Sequence, residues 1–189
     1  MCIRDRKIVV PATPTDAKGL MLAAIRDPDP VIFLEHKFLY RRLKEDVPEG
    51  DYETPLGVAR TAREGDDISI ITYGAMVHAS LEAADLVAND GLSVEVIDLR
   101  TLLPMDRNAI LTSVKKTGRV LIVHEATKTG GPGGEIAALI GEHAFVHLDA
   151  PIVRVAPPDT PVPYSPPLEE FFLPNASKIA EAVRALAEY

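Results

Sequence analysis

The sequence predicts an α/β fold in which a mostly parallel sheet is covered by helices on both faces. Short apolar runs that end in turn residues alternate with stretches whose apolar positions recur at helical spacing, the pattern of consecutive βαβ units. Runs such as Ile68–Tyr73 and Arg119–Val123 are nearly continuous instead of alternating, so both faces of each strand are expected to be buried. Proline marks the limits of this region: of 16 prolines, six lie in residues 11–55, two (Pro104 and Pro132) in 56–150 and eight in 151–174. Proline fixes φ and removes a backbone donor, so the proline-poor middle can hold regular structure while the flanks hold linkers.

Taken in order, Lys7-Ile8-Val9-Val10-Pro11 reads as a short buried strand. Thr13-Pro14-Thr15-Asp16 reads as a helix start, with Thr13 as N-cap, Pro14 at the first helical position and Asp16 capping back. Ala17, Met21, Ala24 and Ile25 give that helix an apolar stripe, and Asp27-Pro28-Asp29-Pro30 stops it. Val31–Leu34 is a second buried strand. The charged, proline-punctuated stretch 38–57 marks a boundary. Beyond it, a strand over Ile68–Tyr73 ends in Gly74, and a helix carrying Val77, Leu81, Ala84 and Ala88 is stopped by Asn89-Asp90-Gly91. Val94, Val96, Ile97 and Leu99 mark the next strand. Asp106 opens a helix with Ile110, Leu111 and Val114, which Gly118 closes. The strand Arg119–Val123 leads through a glycine-rich turn into a helix carrying Ile136, Leu139 and Ile140. Pro151–Val155 is the last strand. Residues 157–167, rich in proline but punctuated by Val162 and Tyr164 with Leu168 just beyond, predict an extended strap over a surface. A final helix bears Ile179, Val183 and Leu186.

Composition excludes several classes of function. Apolar residues make up 47% of the 189 and charged residues 25%, enough to bury a core. Lys and Arg total 20 against 28 Asp and Glu, a formal charge of −8. An acidic chain without a basic cluster is a poor ligand for nucleic acid or an anionic membrane. No apolar run reaches the ~18 residues that span a bilayer. A single cysteine, Cys2, excludes an intramolecular disulfide and a zinc site built on several thiolates. A soluble intracellular globule is the expectation.

Four segments could carry chemistry. Thr129-Gly130-Gly131-Pro132-Gly133-Gly134-Glu135 sits between a strand and a helix, where backbone amides can cradle phosphate. Its spacing matches neither G-x-G-x-x-G nor the P-loop, and a tight structural turn is the alternative. His124-Glu125 lies at the carboxyl end of a strand, the edge where open α/β sheets bind ligands. The two could transfer protons, or they could form a hydrogen-bonded pair that fixes the loop. His143 and His147, four apart on one predicted helix, could share a metal, although no carboxylate or thiolate spacing completes the site. Carbonyls at the helix end near Asp27-Pro28-Asp29 could hold a hard cation, or the prolines could simply stiffen a turn. Glu35, His36 and Lys37 at a strand exit read as solvated charges. The residues alone give an α/β domain without a self-contained active site.

Several segments together carry a family resemblance: Val9-Val10-Pro11-Ala12-Thr13-Pro14 with Asp16-Ala17-Lys18-Gly19-Leu20; Phe33-Leu34-Glu35-His36-Lys37 with Leu39-Tyr40-Arg41; Glu95–Thr101 with Pro104 and Asp106; Lys116–Arg119; His124-Glu125-Ala126; and Leu148–Pro151 with Arg154-Val155, Asp159-Thr160-Pro161 and Pro163-Tyr164. In this order they resemble the E1 component β subunit of thiamine-diphosphate-dependent 2-oxo acid dehydrogenase complexes. The likeness runs from about residue 7 to Tyr189. It implies that residues 1–50 are the tail of a pyrimidine-binding domain and that 51–189 form a three-layer αβα transketolase C-terminal domain. Residues 1–6 match nothing in the family and are expected to be a foreign leader on an incomplete reading frame.

The resemblance implies oxidative decarboxylation of a 2-oxo acid with acyl transfer to the lipoyl arm of E2. A branched-chain substrate stands slightly ahead of pyruvate or acetoin, on the likeness around His124-Glu125-Ala126 and Thr129-Gly130-Gly131. Thiamine diphosphate with Mg2+ would be held mainly by the α subunit and by a β segment without counterpart here, so no catalytic or cofactor-binding residue is carried over. A structural K+ would take carbonyls of Ala24, Asp27 and Asp29, the last an Asn in many relatives. Partners would be an E1 α subunit, a second β subunit and the basic E2 subunit-binding domain, met at Tyr189. The location would be bacterial cytoplasm or mitochondrial matrix. Two rivals stand beside this reading: a non-catalytic dimerisation and E2-docking module, and a nucleotide-binding domain using residues 129–135.

Overall fold

The computed structural model describes residues 6–189, so most of the expected leader and Cys2 lie outside the described residues. The first strand, β1 (Lys7–Val9), runs into α1 (Pro14–Arg26), which begins as the sequence predicts: Thr13 is the N-cap, its Oγ1 accepts from the Asp16 amide at 3.2 Å, and Pro14 opens the helix. Strand β2 (Val31–Phe33) lies parallel to β1, with Ile8 opposite Ile32. A 3-10 turn over Lys37–Arg41 interrupts the charged stretch, and β3 (Arg60–Arg63) follows.

The main sheet adds β4 (Ile68–Thr72), β5 (Val94–Asp98), β7 (Val120–Val123) and β8 (Val153–Val155) to β3, in the order β3-β5-β4-β7-β8. The pairs β4–β5, β4–β7 and β7–β8 are parallel and only β3 runs against its neighbour. Three helices connect the parallel strands: α2 (Met76–Ala88), α3 (Arg107–Thr117) and α4 (Pro132–Ala144). The chain then passes through α5 (Pro166–Phe172) to α6 (Ala176–Ala187).

Strand periodicity sorts the core into two halves. Ile68, Ile70, Val94, Val96, Leu121 and Val123 face α2 and α6. Ile71, Ile97, Val120 and Ile122 face α3 and α4, where Ile110, Val114, Ile136 and Ile140 meet them. All five residues of β4 and all five of β5 are buried, which is why their sequences read as continuous runs. The expected helix–sheet–helix layering is the observed one. Helix α3 is capped as expected: Asp106 accepts from the Ala109 amide at 2.9 Å, and Gly118 ends it at φ 67°.

Two strands have no counterpart in the predicted elements. Strand β3 is an edge strand, so its Arg60-Thr61-Ala62-Arg63 sequence has no apolar run. Strand β6 (Thr101–Leu103) leaves the main sheet after Arg100, whose φ is 55°, and pairs antiparallel with β1 to complete a second sheet, β2-β1-β6. The expected strap is corrected at its end. The chain is irregular to Ser165, but Pro166 and Pro167 form the first turn of α5, since proline at a helix start gives up an amide that would be unpaired anyway. The expectation that His143 and His147 share a helix is also corrected. Helix α4 ends at Ala144, and His147 belongs to a separate 3-10 turn over Phe145–His147.

Candidate functional site

In the main sheet, β4 connects to β5 on one side, and the chain then crosses to β7 on the other. The loops leaving β4 and β7 therefore diverge, α2 to one face and α4 to the opposite one, which puts the topological switch point at the carboxyl ends of these two strands. The residues that leave them are Tyr73 after β4 and His124 after β7. Their rings stack at 12° with centroids 6.5 Å apart. The second sheet brings its own carboxyl edge to the same place: β2 runs out into Glu35 and His36, and His36 Nε2 meets Glu125 Oε2 at 3.0 Å. A cleft of about 450 Å³ beside this junction has Pro11, Pro14, Ala17 and Leu39 in its walls, with Glu35 and Tyr40 hydrogen-bonded at its rim.

His124 and Glu125 are thus neighbours in sequence with separate partners. The His124 side chain is fully buried and its Nδ1 bonds the Ala126 carbonyl at 2.9 Å. A carbonyl can only accept, so Nδ1 carries the proton and Nε2 the lone pair. Glu125 reaches back to join the two sheets. The pair does fix its loop, through two contacts instead of one mutual bond.

The glycine turn has a packing cause. A Cβ on Gly133 would lie 2.3 Å from His124 Nε2, and one on Gly131 2.8 Å from its Cε1. The glycines are therefore explained by the close approach of the imidazole, with no need of a bound phosphate. His143 is committed elsewhere, to Arg107 Nη2 at 2.7 Å, and no group of three or more metal-ligating side chains forms among the described residues. At the end of α1, Ala24 is in the last helical turn, Asp27 is the C-cap and Asp29 is in the following turn. Lys7 Nζ sits on the Asp27 carboxylate at 2.5 and 2.6 Å and 3.3 Å from that of Asp29. Tyr189 is exposed one residue beyond Glu188, the C-cap of α6.

Sequence reading missed a buried charge cluster that locks the two sheets together. Asp16 Oδ1 accepts from Arg100 Nη2 at 2.7 Å, and Arg60 Nη2 meets Asp98 Oδ2 at 3.2 Å with its Nε 3.6 Å from Asp16. Asp16 is in α1 while Asp98 and Arg60 are in the main sheet, so no local pattern announces the cluster. Burial pushes the Asp98 carboxyl up, and the Arg60 guanidinium pulls it back down. Around the switch point, burial and then the Glu125 charge push the Tyr73 phenol up to about 12. Burial holds the His124 imidazole below its ordinary 6.5; the bond to Ala126 opposes this and the Arg154 charge adds to it.

That depression has a thermodynamic consequence. A His with a lowered folded value binds its proton later than the unfolded chain as pH falls, so its contribution to stability is complete above about 6.5 and declines below it. The thermal midpoint is expected to drop between about pH 7 and 5. A His124→Gln variant should show a shallower drop over the same window, measured by calorimetry in matched buffers.

The transketolase C-terminal domain family matches residues 57–179, the span that holds the main sheet and its switch point. The chain belongs to that family. Within it, this transketolase C-terminal domain chain is homologous to E1 β subunits of 2-oxo acid dehydrogenases of the branched-chain, pyruvate and acetoin types. It is 53% identical over 184 residues to the 2-oxoisovalerate dehydrogenase subunit beta of Bacillus subtilis, covering 97% of this chain and 56% of the relative. It is 51% identical over 183 residues to the pyruvate dehydrogenase E1 component subunit beta of the same organism, with the same coverage. An acetoin:2,6-dichlorophenolindophenol oxidoreductase subunit beta of Cupriavidus necator is 51% identical over 178 residues, 94% of this chain and 52% of the relative. The chain therefore spans about half the length of the curated relatives it matches. Among solved structures, a split gene transketolase described as an inactive beta4 tetramer superposes with a TM-score of 0.80 at 26% identity, over 97% of this chain and 58% of the other. No helix among the described residues is long and apolar enough to cross a membrane.

Proposed function

We propose that this chain serves as the β subunit of a 2-oxo acid dehydrogenase E1, in oxidative decarboxylation of a 2-oxo acid with acyl transfer to lipoyl-E2. The observation that carries the reading is 53% identity across 97% of the chain to a 2-oxoisovalerate dehydrogenase β subunit. A pyruvate dehydrogenase β subunit matches at a similar 51%, and a branched-chain substrate is the one we favour. The working assembly would contain an E1 α subunit and a second β subunit, in bacterial cytoplasm or a mitochondrial matrix.

The family implies thiamine diphosphate, which in this reading is held mainly by the α subunit and by a β segment outside the matched residues; the glycine-rich turn packs on His124 instead. When bound elsewhere in the assembly, that cofactor supplies the carbanion stabilisation that decarboxylation needs. This chain's own contribution is to hold two sheet edges in register through His36–Glu125 and the Asp16–Arg100 pair. Backbone carbonyls of Ala24, Asp27 and Asp29 at the end of α1 are the proposed K+ ligands; the Asp27 and Asp29 carboxylates are already paired with Lys7 and are not among them. The exposed end at Tyr189 on an acidic chain is the proposed meeting point for the basic E2 subunit-binding domain.

The test is a chimera in which this chain replaces the matching part of the B. subtilis 2-oxoisovalerate subunit, co-expressed with its α subunit. The α subunit should copurify, and dye reduction with thiamine diphosphate and Mg2+ should be faster on 3-methyl-2-oxobutanoate than on pyruvate or acetoin. Failure to bind α would sink the reading, while faster turnover on pyruvate would reassign the substrate. A second reading, a non-catalytic assembly and E2-docking module, is supported by the solved relative that is an inactive assembly of β chains. Copurification and E2 binding without turnover would select it.

A further inference from the structure

The groups around His124 are held from outside by one segment. The imidazole is enclosed by Tyr73 on its face and by Gly131 and Gly133 at its edge, and Nε2 is buried without a hydrogen-bond partner. Gly131 is the N-cap of α4 and Gly133 lies in its first turn, directly after the loop 127–131. On its outer side, both the amide and the hydroxyl of Thr129 donate to the Asp159 carboxylate, at 2.9 and 2.5 Å. The Lys128 amide donates to the Pro157 carbonyl at 3.1 Å, and Arg154 Nη1 donates to the Lys128 carbonyl at 3.0 Å. Every one of these outer partners comes from β8 or the strap that follows it. The same strap goes on to carry Val162 and Tyr164, both exposed.

We propose that Asp159 is a positioning residue for His124, so that the strap and the 127–131 loop form one clasp that sets the imidazole's place between Tyr73 and the start of α4. The chain of contacts is continuous. Asp159 fixes Thr129, Thr129 fixes the loop that leads into α4, and Gly131 and Gly133 leave the ring a slot with no spare width on the α4 side. An interior this closely packed shifts between discrete arrangements instead of yielding smoothly. A strap released at Asp159 therefore lets the loop lift from the ring. The freed Nε2 then meets solvent and either nitrogen can take the proton, a state the closed clasp excludes. Helix α5, into which the strap runs, is held separately at its carboxyl end: Lys178 Nζ donates to the carbonyls of Glu170, Phe171 and Leu173 at 2.6 to 2.9 Å. The clasp at Asp159 is thus independent of the attachment of α5. The reading does not depend on the chain's enzymatic role.

The experiment is nitrogen-detected NMR of the histidine side chains on the whole chain, as a function of pH, for Asp159→Ala, Asp159→Asn and Lys178→Met. The parent should show His124 as a single neutral form protonated at Nδ1. Asp159→Ala should produce a mixture of tautomers, with the titration midpoint rising toward the ordinary 6.5. Asp159→Asn keeps an oxygen that accepts from the Thr129 amide and should restore most of the parent spectrum. Lys178→Met should leave His124 unchanged. An unaltered His124 spectrum in Asp159→Ala overturns the proposal, even if the melting temperature falls. An equal change in the Ala and Asn variants also overturns it, because lost charge would then be the cause. If Asp159→Ala does not fold, Thr129→Val removes only the hydroxyl half of the contact and is read in the same way.

Discussion

Replacing Asp16 by alanine is expected to cost the fold about 3–5 kcal/mol, read as a fall in the urea midpoint at an unchanged slope. The carboxylate is almost completely buried and pairs with Arg100, while Arg60 divides itself between Asp16 and Asp98. Removing one anion leaves two guanidinium groups facing a single remaining carboxylate in a poorly solvated site. Nε of Arg60 and of Arg100 already lack hydrogen bonds there. The loss is larger than the net worth of the cluster, because a buried charge stripped of its partner keeps its full desolvation cost. Thr13 would also lose its bond to the Asp16 carboxylate, at 3.2 Å, although its own cap of the Asp16 amide survives the change. Asp16→Asn should recover part of the hydrogen bonding but little of the ion pairing. A loss below about 1 kcal/mol would show that solvent reaches the cluster.

Truncating Ile122 to alanine should be nearly as damaging, at about 2–5 kcal/mol. Ile122 is fully buried on β7 between two paired strands, and it faces the side of the sheet covered by α3 and α4. Parallel strands held from both faces cannot collapse into the vacated space, so most of the cavity persists. Ile122 Cγ2 also lies within 3.3 Å of where a Gly133 Cβ would be, so the void would open directly beneath the start of α4. Leu86 in α2 is a control: it is 46% exposed, and its truncation should stay within about 0.5 kcal/mol. Denaturant unfolding of both variants in one buffer gives the comparison.

The elements that could be read from the sequence are those whose causes are local. Thr13 and Asp106 cap helices with their own side chains, Gly118 ends one at positive φ, and the apolar runs of β4, β5 and β7 reflect burial on two faces. Elements that depend on a distant partner were invisible. Strand β6 is three residues long and exists because β1 pairs with it. Strand β3 lies at an edge, where charged residues are tolerated, and α5 starts on two prolines that read equally well as extended chain.

The site divides along the same line. His124-Glu125 stood out because both residues follow an apolar run at a strand exit. Their true partners, Tyr73 and His36, come from other strands, and only the fold brings them in. The glycine turn shows the converse. Its composition suggested a ligand, but the space that its missing side chains leave is taken by a ring from within the chain.

The second sheet also sets a schedule for synthesis. Strands β1 and β2 come off the ribosome well before β6, the antiparallel partner that completes their sheet among the described residues and is made only when synthesis has reached Leu103. At roughly 5–20 residues per second that interval is on the order of 10 s. Val9, Val10 and Leu20, all buried in the finished molecule, spend it without their final cover. Translation speed through residues 34–103 therefore sets how long β1 and β2 wait for the strand that completes this edge of their sheet.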